Sequence, residues 1–175
     1  MNILILILSL IYSSAILQES NQLIITEQMV RVKGYTSMGK FNCEFQRVGQ
    51  ADTLRFNSSF SQKALKFQIP VKDFACGNFL LTHDFRTTLR AEDYPFSYVL
   101  VTNFREKSGK IICHLKVDLV GKKLDFPDFQ LEKVNKGLLG KLTLDFQMLD
   151  LTPPSKLGGL VKVEDQLDLE LLLGI

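Results

Sequence analysis

Two histidines, three cysteines and a few carboxylates side by side are the residues of this 175-residue chain that could do chemistry. His83 stands next to Asp84 in a segment with helical spacing, where neighbouring side chains point apart. His114 falls on the polar side of an alternating run. Each reads as a solvated or hydrogen-bonded imidazole. A zinc site needs three or four convergent ligands, and neither Cys-x-x-Cys nor His-x-x-x-His spacing occurs. No Gly-x-Ser-x-Gly elbow supports a serine nucleophile. Glu92-Asp93, after the helical segment, and Glu164-Asp165, before the last strand, read as solvated turns. Gly158-Gly159 lacks the Gly-x-Gly-x-x-Gly spacing and reads as another turn. The sequence therefore assigns no catalytic residue, no metal ligand and no cofactor, and a non-enzymatic role is the expectation.

The cysteines are Cys43, Cys76 and Cys113. Cys113 shares a face with Ile111, Leu115 and Val117, which makes it most simply a buried free thiol. Cys43 and Cys76 are then the pair, closing a loop worth roughly 3–4 kcal/mol in the chain-entropy model. The alternative is three unpaired thiols. A disulfide presupposes an oxidising compartment, and the N-terminus fits that. Ile3 to Ile11 is an apolar run followed by the small residues Ser13-Ser14-Ala15. It makes roughly 14 Å of helix, too short for a hydrocarbon core of about 30 Å. Residues 1–20 read as a secretion signal, residues 21–175 as one mature domain, and the location as periplasmic or secreted. An uncleaved membrane anchor is the rival. Asn57-Ser58-Ser59 fits a glycosylation sequon.

No later segment is apolar for long enough to span a bilayer as a helix. The formal net charge is +2, from 21 basic and 19 acidic residues, and the basic residues do not cluster. Nucleic acid is excluded as a partner on that balance.

What must position any site is a series of strands. Leu65, Phe67 and Ile69 alternate with Lys66 and Gln68. Phe96, Tyr98, Leu100 and Phe104 alternate with Ser97 and Asn103, although Val99 and Val101 make that segment apolar on both faces. Ile111 to Leu119, Leu142 to Phe146 and Leu167 to Leu173 repeat the pattern, each with one apolar and one wet face. Turn signals fall at Lys33-Gly34, Ser108-Gly109, Gly121-Lys122-Lys123, Asn135-Lys136-Gly137 and Pro153-Pro154. Only Asn78 to Arg90 breaks the period, with Leu81, Phe85 and Leu89 at steps of four: a short amphipathic helix. The expectation is an all-β, antiparallel barrel of about eight strands with one short helix, closed because closure removes exposed edges.

A barrel of that size is just wide enough to be filled by side chains or to hold one small ligand. With 13 Phe and 4 Tyr, apolar carbon is abundant. Burying eight methylenes contributes roughly 6 kcal/mol, so a lipid tail could bind without any polar signature. Alternation places Leu65, Phe67, Ile69, Phe96, Tyr98, Leu100, Ile111, Leu115, Leu142, Leu144 and Phe146 on the interior wall. The sequence supports two functions: sequestration of an apolar lipid, or a filled barrel acting as a structural or protein-interaction module. Cavity volume discriminates them.

Ile69-Pro70-Val71-Lys72-Asp73-Phe74-Ala75-Cys76-Gly77-Asn78, followed by Asp84-Phe85-Arg86-Thr87-Thr88-Leu89 and Tyr94-Pro95, resembles the YceI family of bacterial periplasmic proteins. Val120-Gly121-Lys122, Leu151-Thr152-Pro153-Pro154 and Gly159 to Asp165 are similar to its later turns and final strand. Phe41-x-Cys43 with Phe74-x-Cys76 resembles a cysteine-bearing branch. The resemblance covers about residues 30 to 175. It implies a lipocalin-like barrel that takes up an isoprenoid or other apolar lipid, and it does not imply an enzyme. Against the better known lipid binders the chain is compressed around Asp52 to Phe60.

Overall fold

The computed structural model describes residues 21–56 and 64–175. The apolar N-terminal run and the sequon both lie outside the described residues. Alternation builds eight long or medium strands: β1 (Asn21–Thr36), β2 (Gly39–Phe56), β3 (Leu65–Pro70), β4 (Phe96–Lys107), β5 (Lys110–Leu119), β6 (Lys122–Val134), β7 (Gly137–Asp145) and β9 (Val161–Gly174). The two-residue β8 (Ser155–Lys156) pairs only with the start of β9. One α-helix, α1 (Phe79–Thr88), stands among the described residues.

All pairings are antiparallel, in the order β2-β1-β9-β7-β6-β5-β4-β3. The two outer strands of that order are tied across the gap, so the barrel is nearly closed. Glu44 and Ala75 exchange backbone hydrogen bonds of 2.8 and 2.9 Å. Beside them the Cys43–Cys76 disulfide joins β2 to the segment after β3. Arg47 Nη2 donates to the Gln68 carbonyl at 2.8 Å. The expected pairing of cysteines therefore forms the clasp of the barrel, and Cys113 is buried and unpaired.

Hairpins fall where the turn residues need them. Ser108-Gly109 and Val120-Gly121 each place two successive residues at positive φ, which suits a tight two-residue turn between twisted strands. Lys33-Gly34 is not a turn but lies inside β1; the chain reverses at Ser37-Met38 instead. Gly34 is small for another reason. A methyl group on it would meet the ring of its cross-strand partner Phe41 at 2.2 Å. Glu164-Asp165 likewise lies within β9 rather than before it.

Helix α1 caps one end of the barrel, called the upper end below. Asn78 starts it, its Oδ1 accepting from the Leu81 N–H at 2.8 Å. Its buried face carries Phe85, whose ring lies 5.2 Å from Phe74, itself 6.0 Å from Phe45 of β2. Arg86 Nη2 donates to the Phe74 carbonyl at 3.0 Å, holding helix and clasp together.

Candidate functional site

Among the described residues, the hollow inside the barrel lies in its upper half. Below α1 lies a partly open cavity of about 70 Å³. On strand after strand its lining stops at one level. Leu167, Leu169 and Leu171 of β9 line it and Leu173 does not; on β5, Leu115 and Val117 do and Cys113 does not. On β4, Ser97 and Val99 line it and Val101 does not; on β7, Gly140 lines it and Leu138 does not. Ile69 over Phe67 on β3, and Val30 over Gln28 on β1, repeat the boundary. Leu173, Cys113, Val101, Leu138 and Phe67, all beneath it, are 0–3% exposed and fill the lower half.

A second cavity of about 140 Å³ adjoins the first at the upper end. It runs between α1 and the start of β9, past Phe41, Leu81, Phe146 and Val163. Phe85, Leu89 and Leu167 line both spaces, which adjoin there. The inner space is almost purely hydrocarbon. Ser97 supplies its one side-chain hydroxyl, and that group donates to the Asp118 carbonyl at 3.0 Å. Glu170 reaches the wall, but its carboxylate is bound by Arg31 at 3.1 Å and by Lys33. The outer space is more polar, edged by Thr36, Asp84 and Thr88.

The eleven residues expected on the wall divide into four sets. Ile69, Leu115, Leu142 and Leu144 line the inner cavity, and Phe146 lines the outer one. Leu65, Phe67 and Ile111 are interior but belong to the packed lower half. Phe96, Tyr98 and Leu100 correct the expectation: they face outward, with Phe96 39% and Tyr98 49% exposed and Leu100 half-buried. Ser97, Val99 and Val101 are the inward set. A β-bulge causes this. Between Thr102 and Arg105 two residues of β4 oppose one of β5, with Asn103 at φ 53°. The extra residue reverses the phase, so Phe104 is buried although it shares parity with Phe96.

Sequence reasoning also passed over Phe85 and Leu89 as wall residues, although their helical spacing pointed inward. It missed Phe129 and Gly140. β6 carries its own bulge, at Pro127-Asp128 between the pairs Leu115–Phe126 and Cys113–Phe129. That bulge hides the alternation that would have placed Phe129 inside.

Among the described residues, neither histidine nor the free cysteine lines either cavity. His114 sits on the outer face against the carboxylate of Asp125. That hydrogen bond, with Lys116 nearby, holds Asp125 below its ordinary value. Burial pushes the Cys113 thiol up to about 12, so it is a packed thiol rather than a nucleophile. Among the described residues no group of three or more His, Cys, Asp or Glu could hold a metal ion. Among the same residues no helix is long and apolar enough to cross a membrane.

No protein-family model matches the sequence, and no curated protein matches it. Solved structures do match. The chain is similar to Burkholderia cenocepacia BcnA at 13% identity, with a TM-score of 0.57 over 82% of this chain and 93% of that one. It is similar to a polyisoprenoid-binding domain from Saccharophagus degradans implicated in plant cell wall breakdown, at 10% identity and a TM-score of 0.50, over 88% and 99%. It is similar to the Campylobacter jejuni YceI protein at 13% identity and a TM-score of 0.53, over 70% and 77%. At these identities the likeness establishes a shared barrel fold.

Proposed function

We propose that this chain is a YceI-like barrel, exported from the cytoplasm, that binds the tail of an apolar lipid and catalyses no reaction. One observation carries the reading: an almost wholly hydrocarbon space inside the barrel that adjoins a more polar-edged one under α1. Burying a chain there contributes about 0.8 kcal/mol per methylene. The polar edge at Thr36, Asp84 and Thr88 suits a headgroup left at the mouth. The Saccharophagus domain binds a polyisoprenoid within the same fold, which supports an isoprenoid-type tail here. A clasp disulfide agrees with residues 1–20 acting as a removable signal and with a periplasmic or secreted location.

The two cavities are below the roughly 300–1,000 Å³ of an ordinary small-molecule site. The occupant is therefore slender, a single chain rather than a folded or ring-bearing lipid. The packed lower half favours a second reading, a barrel that is a structural or interaction module. Native mass spectrometry of the protein purified from its own envelope, followed by organic extraction, separates the two. A stoichiometric apolar adduct supports carriage. A bare protein mass that stays bare when isoprenoid alcohols are offered overturns it in favour of the filled barrel.

A further inference from the structure

The cavity has a floor, and the floor has a particular construction. Phe129 is the one residue of β6 on the cavity wall. It pairs with Cys113, at the level where the lining stops on β5. Its ring reaches across to β7 and lies over Gly140, where a methyl group would come within 2.4 Å of it. Directly beneath are Leu131, Leu138 and Leu173, 0–1% exposed. Nothing larger than hydrogen at position 140 lets the ring lie this low.

We propose that Phe129, seated on Gly140, is the stop of a chain-length ruler, setting how deep a chain can descend and so how long a chain the barrel accepts. This rests on the lipid-tail reading above. Val163 of β9 lines the outer cavity and Leu171 the inner one, so the strand runs past both spaces toward the floor. A chain longer than the space above the Phe129 ring must leave carbon in water.

The test is a series of unbranched primary alcohols, from roughly four to twenty-four carbons at two-carbon steps. Each is offered to the mature protein, and the bound fraction is read by native mass spectrometry. The wild type should lose at least about tenfold in affinity per four carbons beyond the optimum, relative to the steady gain below it. Phe129→Ala should move the optimum longer by about four carbons, the depth of the lost ring. Gly140→Ala should lift the ring and move it shorter. If Phe129→Ala does not fold, Phe129→Leu should give a smaller shift in the same direction. An optimum unchanged in the folded variants, or a wild type indifferent to length, overturns the ruler while leaving lipid binding intact. Failure of every alcohol to bind overturns the lipid-tail reading itself.

Discussion

The ring of Phe129 occupies the space that a side chain on Gly140 would take, with its nearest carbons 2.4 and 2.5 Å from the position of a methyl group there. Two strands thus share one side chain's volume, and the barrel keeps a hollow above a packed floor. Gly140→Ala forces that ring, and Leu131 at 2.8 Å, to move. Overpacking of this kind costs about 1–3 kcal/mol, so the urea midpoint should fall accordingly. An unchanged midpoint would mean that the ring has free room to rotate.

The clasp can be tested by its bond. Cys43 and Cys76 are 33 residues apart, and the bond closes a loop worth roughly 3–4 kcal/mol in the chain-entropy model. Cys43→Ser should lower stability by about that amount in non-reducing urea titrations, and adding reductant should do nothing further to the variant. Cys113, buried with its pKa pushed up to about 12, should resist thiol reagents in the native state and react on unfolding. Rapid labelling of the folded protein would place that thiol at the surface instead.

Inside and outside on β4 make a direct contrast. Leu100 stands opposite Lys66 of β3 and Lys116 of β5 on the outer face, so Leu100→Glu should leave stability within about 1 kcal/mol. Val99, 7% exposed and on the cavity wall, should not tolerate the same change. An unpaired buried carboxylate costs more than about 3 kcal/mol. Chemical denaturation of both variants checks the pair, and equal losses would restore the even-numbered residues to the interior.

Acid should weaken the outer wall of the sheet. Burial pushes the Glu170 carboxyl up, but the hydrogen bonds and charges of Lys33 and Arg31 outweigh it, and the net value lies below the ordinary one. A carboxylate depressed in the folded state stabilises above its unfolded pKa, near 4.3, and loses that contribution as pH falls through the folded value. Stability measured by urea unfolding should therefore drop below about pH 4.5. Glu170→Gln should be roughly 1 kcal/mol less stable at neutral pH, with a shallower acid slope. The same slope in both proteins would assign the acid sensitivity to other carboxylates.

Much of this architecture is legible in one dimension because its causes are local. Period-two alternation from Ile111 to Val117 and from Leu167 to Leu173 marks strands whose two faces meet different media. Steps of four at Leu81, Phe85 and Leu89 mark the helix, and the setting of Cys113 on an apolar face singles out the other two cysteines. Tertiary structure decided what depends on partners distant in the chain. The bulges at Asn103 and Pro127-Asp128 exist only against the facing strand, and they turned Phe96, Tyr98 and Leu100 outward and Phe129 inward. Whether the interior is full depends on side chains from at least six strands summed at each level. Ring and glycine meet at Phe129 and Gly140, eleven residues apart in sequence, because a hairpin folds one strand onto the next. Alternation says which residues face inward; only their mutual packing says how much room they leave.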